Sequence, residues 1–129
     1  LGEFGWNLGM AFQVIDDILD FTSRESILGK PVGNDLREGK VTLPLTYALM
    51  DASPAERSAV ATVLAERNYT SVSFDAIRSI LDRHHGIHRA RARALEFTAK
   101  ARSILEDFPD NSARAALFAA TDLVADRDR

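Results

Sequence analysis

Along Leu1–Thr22 apolar side chains follow one another almost without a break, at Phe4, Trp6, Leu8, Met10, Phe12, Val14, Ile15, Ile18, Leu19 and Phe21. That density predicts one helix that needs neighbours on nearly every side. Three aspartates interrupt the run: Asp16, Asp17 and Asp20. At helical spacing Asp16 and Asp20 lie one turn apart on a single stripe, with Gln13 just before them and Asp17 on the adjoining side of that face.

The pattern then changes. Ser23–Gly39 is polar and punctuated by Gly29, Pro31, Gly33 and Gly39, which reads as a long loop, and loops of that length are usually functional. Val41–Met50 is a short apolar helix that tolerates Pro44 in its first turn. Ser53, Pro54 and Glu56 supply a cap, a first helical residue and a capping box for a helix running to about Arg67. Asn68–Ser71 is a turn, and Ser73 caps a helix over Phe74–His85 with Phe74, Ile77, Ile80 and Leu81 inward. Gly86 is expected to end that helix as its C′ residue. An alanine-rich helix is predicted from Ile87 to about Phe108, broken by Pro109, Asp110 and Asn111. A last helix over Ser112–Asp126 is expected to bury Ala116, Leu117, Ala120 and Val124. Thr70–Ser73 is too short to carry a sheet. The fold class is therefore all-α and bundle-like, without internal repeats.

Composition narrows the function classes. The chain has 129 residues, 46% of them hydrophobic, enough for one ordinary domain with a real core. The formal net charge is −3, so no basic field argues for nucleic acid. Cysteine is absent, which excludes disulfides and thiol chemistry and fits a cytoplasmic setting. No signal peptide and no long uncharged run is found, while a weak peripheral membrane contact stays open. The sequence starts inside an apolar helix without a cap, and the expectation is a C-terminal piece of a longer protein.

The aspartate cluster needs a physical reason. Like charges at four-residue spacing cost a helix about 0.2–0.5 kcal/mol. Buried carboxylates cost more, and the C-terminal half of a helix disfavours anions. A divalent cation offsets all three penalties, and an all-oxygen donor set suits Mg²⁺, whose shell is completed by water and substrate phosphates. A solvated acidic face is the plainer alternative. Lys30 and Lys40, in and just after the loop, can reach back over the open end of the aspartate helix as phosphate ligands, or be solvated surface charges. His84, His85 and His88 lack convincing zinc spacing and fit a helix C-terminal charge role better. Arg89–Arg93 reads as a solvated basic face balanced by Glu96, Glu106 and Asp107. Gly29–Lys30 is not a phosphate-binding P-loop, since the preceding glycine pattern and the following Ser or Thr are missing. Arg127–Asp128–Arg129 reads as a frayed end, the alternative being an arm folded toward an anionic ligand.

FQVIDDILDF at Phe12–Phe21, followed by GKPVGNDLREGKVTLPL at Gly29–Leu45, resembles the second aspartate-rich motif and following loop of the trans-isoprenyl (polyprenyl) diphosphate synthases. The likeness is greatest to bacterial longer-chain synthases of the heptaprenyl and octaprenyl type, and it extends over the whole chain. It implies an isoprenoid-synthase helical bundle of which 1–22 is the aspartate-motif helix, 23–40 the diphosphate-binding loop and 41–129 the C-terminal helices. It implies condensation of isopentenyl diphosphate with an allylic diphosphate, with Mg²⁺ as cofactor and a homodimer as the intact protein. Carried over residue by residue, Asp16 resembles the principal metal ligand, with Asp17 and Asp20 as its partners, acting directly or through bound water. Gln13 resembles the glutamine near the reacting carbons, Lys30 and Lys40 the lysines that grip the allylic diphosphate, and Asp35 the supporting loop aspartate. The family's first aspartate-rich motif has no counterpart here, so these 129 residues alone are expected to bind Mg²⁺–diphosphate weakly and not to turn over. The alternatives are a terpene cyclase fragment, whose second metal motif usually mixes Asn, Ser or Thr and Glu, and a non-catalytic partner subunit of a prenyl synthase.

Overall fold

The computed structural model describes residues 1–22 and 32–127. Among them every regular element is a helix and no strand occurs. The helices are α1 (Gly2–Thr22), α2 (Asn34–Arg37), α3 (Leu43–Asp51), α4 (Pro54–Glu66), α5 (Phe74–Arg83), α6 (Gly86–Glu106) and α7 (Ser112–Ala125). The expected loop thus contains one helical turn, α2. None of the described helices is long and apolar enough to cross a membrane.

The chain forms two compact units, Leu1–Asp16 with Arg91–Arg129, and Asp17–Ala90. The boundaries fall inside α1 and inside α6.

In the first unit Phe4, Ala101 and Leu105 are the buried centre, packed by Leu8, Ile104, Phe108, Leu117 and Phe118. Trp6 meets Phe97 edge-on at 5.8 Å between ring centroids, yet it is 59% exposed. Asn111 caps α7 by accepting from the Arg114 amide. Along α7 Thr121 is buried, while Leu117, Ala120 and Val124 are half-buried and Ala116 is exposed. The expected burial of Ala116 is therefore wrong, because α7 turns a narrower stripe inward than its apolar composition suggests. Arg102 pairs with Asp122 and lies over the Phe118 ring, joining α6 to α7.

In the second unit the core gathers Ile18, Phe21, Leu36, Leu45, Ala48, Val60, Val63, Ile77, Ile80, Leu81 and Ile87. There α2 packs on α4, and both α3 and α4 pack on α5. The capping box at Ser53 forms: Glu56 N–H donates to the Ser53 hydroxyl and Ser53 N–H to the Glu56 carboxylate. The same carboxylate receives His84 at 2.9 Å and pairs with Arg83, tying the start of α4 to the end of α5. These contacts, the Ser53 amide first and His84 next, hold the Glu56 carboxyl down at about 2.

The α5–α6 junction departs from the expectation. The helix ends at Arg83, His84 is its C-cap, and His85 takes the left-handed conformation with φ 56°. Gly86 instead opens α6. It is needed for space rather than for a turn: a Cβ there would collide with the Pro44 carbonyl oxygen and crowd Leu81 and Ala48. This close approach seats the first residue of α6 against the first turn of α3.

Candidate functional site

The last turn of α1 and the segment Gly33–Lys40 form one hydrogen-bonded assembly. Asp20 is buried, and its carboxylate accepts the Asn34 amide on Oδ1 and the Asp35 amide on Oδ2, both at 3.1 Å. Its main-chain carbonyl accepts the Gly33 amide at 2.7 Å. One residue therefore holds three consecutive amides, those of the N-cap Gly33 and of the first two residues of α2. Charge-assisted bonds of this kind are stronger than neutral ones.

Gly33 sits at φ 69°, a conformation that only glycine adopts freely. A Cβ on it would lie 2.5 Å from the Phe74 ring and 2.6 Å from the Tyr69 hydroxyl. That hydroxyl donates to the Gly33 carbonyl at 2.6 Å. Burial, and then the charge of Asp20, pushes the Tyr69 phenol up to about 12, with Arg37 opposing and Asp35 adding to the rise. The rings continue the connection: Tyr69 meets Phe74 edge-on at 5.5 Å, and Phe74 stacks on Phe21 at 6.4 Å. Arg78 donates to the Phe21 carbonyl at 3.0 Å, satisfying an orphan acceptor at the end of α1.

Beyond α2 the Asp35 carbonyl accepts from the amides of Glu38 and Lys40. Arg37 donates to the Asn34 side chain at 3.0 Å, and Arg67 to the Glu38 carbonyl at 3.2 Å. Lys40 is exposed, with its ammonium 3.5 Å from Glu38. Asp35 is half-buried. Lys30 lies outside the described residues.

Asp16 and Asp17 are half-buried and Gln13 is exposed. Arg127 donates to Asp16 Oδ1 at 3.0 Å, and its guanidinium stands 4.2 Å over the Phe12 ring. Arg127 is thus folded back and not frayed, because an anion and an aromatic face await it together; Asp128 and Arg129 lie outside the described residues.

The three aspartates have different surroundings: Asp20 is sunk into backbone amides, while Asp16 and Asp17 are partly open. Among the described residues no three His, Cys, Asp or Glu side chains converge to hold a metal unaided. The donor set still fits magnesium, which takes one or two carboxylates and completes its shell with water and phosphate oxygens. The sequence reading missed Tyr69 and Arg78. Gly33 was the available signal, since a turn glycine required at positive φ needs something packed where its side chain would be.

The Polyprenyl synthetase family model matches residues 1–81. Heptaprenyl diphosphate synthase component 2 of Geobacillus stearothermophilus is 42% identical over 114 residues, which cover 88% of this chain and 34% of that protein. Octaprenyl diphosphate synthase of Haemophilus influenzae is 35% identical over 99% of this chain and 39% of its own length. The chain thus spans little more than a third of these relatives. Among solved structures, a polyprenyl synthase from Caulobacter crescentus complexed with calcium and isoprenyl diphosphate superposes with a TM-score of 0.84 at 34% identity, over 98% of this chain and 38% of that one. A geranylgeranyl pyrophosphate synthase from Corynebacterium glutamicum complexed with isoprenyl diphosphate and magnesium gives 0.84 at 28% identity, over 97% and 36%.

Proposed function

The chain belongs to the polyprenyl synthetase family, and from that membership we propose that the whole protein is a prenyltransferase joining isopentenyl diphosphate to an allylic diphosphate, giving an all-trans polyprenyl diphosphate. The observation that carries this reading is the coincidence of the family match over residues 1–81 with the Asp16, Asp17, Asp20 motif at the end of α1. The solved relatives crystallised with isoprenyl diphosphate and a divalent cation support it.

In this reading Asp16 and Asp17 hold magnesium. Asp20 contributes mainly by gripping Gly33–Asp35, so that the segment leading to Lys40 is already ordered when substrate arrives. Bound magnesium would supply positive charge to the diphosphate as the allylic C–O bond breaks. Lys40 and Lys30 take further charge from that leaving group, Gln13 orients the substrate beside it, and Asp35 supports the loop. The double bond of isopentenyl diphosphate then attacks the allylic carbon, and a proton leaves for the departing diphosphate; no protein nucleophile is required. A homodimer and a cytoplasmic setting belong to the same proposal. The 129 residues alone carry a single aspartate motif and are expected to bind Mg²⁺–diphosphate weakly without turnover.

The test is Asp16→Ala in the full-length protein, assayed with an allylic diphosphate and isopentenyl diphosphate. Loss of chain elongation by several orders of magnitude supports the prenyltransferase. Unchanged elongation points to a non-catalytic subunit, and ionisation without addition of isopentenyl diphosphate to a cyclase.

A further inference from the structure

We infer that Tyr69 is a positioning residue for the diphosphate site, acting through the carbonyl of Gly33. This rests on the function proposed above, but its geometry stands by itself. Gly33 is held from two sides, its amide by the Asp20 carbonyl at 2.7 Å and its own carbonyl by the Tyr69 hydroxyl at 2.6 Å. The next two residues are the ones whose amides the Asp20 carboxylate grips. A rotation of the Gly33 peptide would carry those amides with it, so the phenol sets the angle at which the segment meets the acidic end of α1. The ring already packs on Phe74, and phenylalanine would serve that contact equally, but only a donor satisfies the carbonyl of the buried Gly33.

Tyr69 lies between α4 and α5, away from the acidic motif in sequence. Its hydroxyl bonds main chain, the Gly33 carbonyl, and no side chain of the acidic motif is its hydrogen-bond acceptor there. Its loss should therefore change how well the site binds a diphosphate, not how fast the bound substrate reacts.

Full-length protein carrying Tyr69→Phe keeps the ring and loses the donor. Calorimetric titration with magnesium pyrophosphate should show weaker affinity, by up to about fivefold, the limit set by the worth of the one neutral hydrogen bond lost. The KM for the allylic diphosphate should rise in step with kcat nearly unchanged, while the melting temperature falls by a few degrees because the Gly33 carbonyl has lost its donor. Phe74→Leu, which loosens the ring packing and leaves the phenol, should lower the melting temperature without changing pyrophosphate affinity. Tyr69→Phe with wild-type affinity for pyrophosphate overturns the inference, and so does a Phe74→Leu variant weakened as much as Tyr69→Phe. Pyrophosphate binding needs no prenyl transfer. A wild type that binds pyrophosphate without elongating prenyl chains would sink the prenyltransferase reading, while calorimetry would still decide Tyr69.

Discussion

Arg127 donates to the Asp16 carboxylate at 3.0 Å, joining residues 111 positions apart. The arginine also covers Phe12, so its charge is set beside a proposed metal ligand. A cation bound at Asp16 must displace it or share the carboxylate. Arg127→Gln in the full-length protein should therefore lower the half-saturating magnesium concentration. The gain should be no more than about fivefold, since an exposed pair is worth about 0–1 kcal/mol. A magnesium titration at low and high salt measures it, and the difference should shrink as salt screens the pair.

Asp20 and Asp16 should separate in stability although both belong to one motif. Asp20→Ala leaves the Asn34 and Asp35 amides without their acceptor, at about 1–3 kcal/mol for each one left unpaired and shut off from water. Asp16→Ala removes an exposed pair and should cost less than about 1 kcal/mol. Urea unfolding of the two variants distinguishes them; equal losses would refute the division of roles.

Gly86→Ala tests the close approach of α6 to α3. At the opening position of a helix the propensity gain from alanine is smaller than the about 1 kcal/mol of a helix interior. The collision with the Pro44 carbonyl should reverse the sign and leave a net loss of about 1–3 kcal/mol, as overpacking usually does. Thermal unfolding gives the sign directly.

Glu56 predicts a pH dependence. Its carboxyl lies near 4.5 when free and about 2 in the fold. The unfolded chain therefore binds the proton more readily, and the stabilisation is present above about pH 4.5 and lost as pH falls toward 2. Wild type should be more stable than Glu56→Gln at pH 6, and the gap should narrow steadily between pH 4.5 and 2. Unfolding midpoints measured across that range check the slope.

Much of the helical plan was legible because its signals are local. Ser53 with Pro54 and Glu56 predicts a capping box from three residues and their spacing, and Ser73 predicts a cap in the same way. The inward positions Ile77, Ile80 and Leu81 follow from helical periodicity and are buried. Gly86 misled because a glycine after a helix is usually a C′ residue. Its real constraint is a carbonyl on another helix, forty-two positions earlier in the chain, which no local pattern can reveal.

The acidic motif divides along the same line. Sequence alone determined that Asp16, Asp17 and Asp20 share a helix and one general face, since 3.6 residues per turn leave no other arrangement. It also determined the all-helical class and the family. Tertiary structure decided the partnerships: Asp20 accepts the backbone of a segment fourteen residues on, Asp16 faces Arg127, and Tyr69 steadies Gly33. Those partnerships depend on where the chain returns in space. Return is governed by packing of distant apolar faces and the demand that buried amides find acceptors, and neither can be read from the spacing of the aspartates themselves.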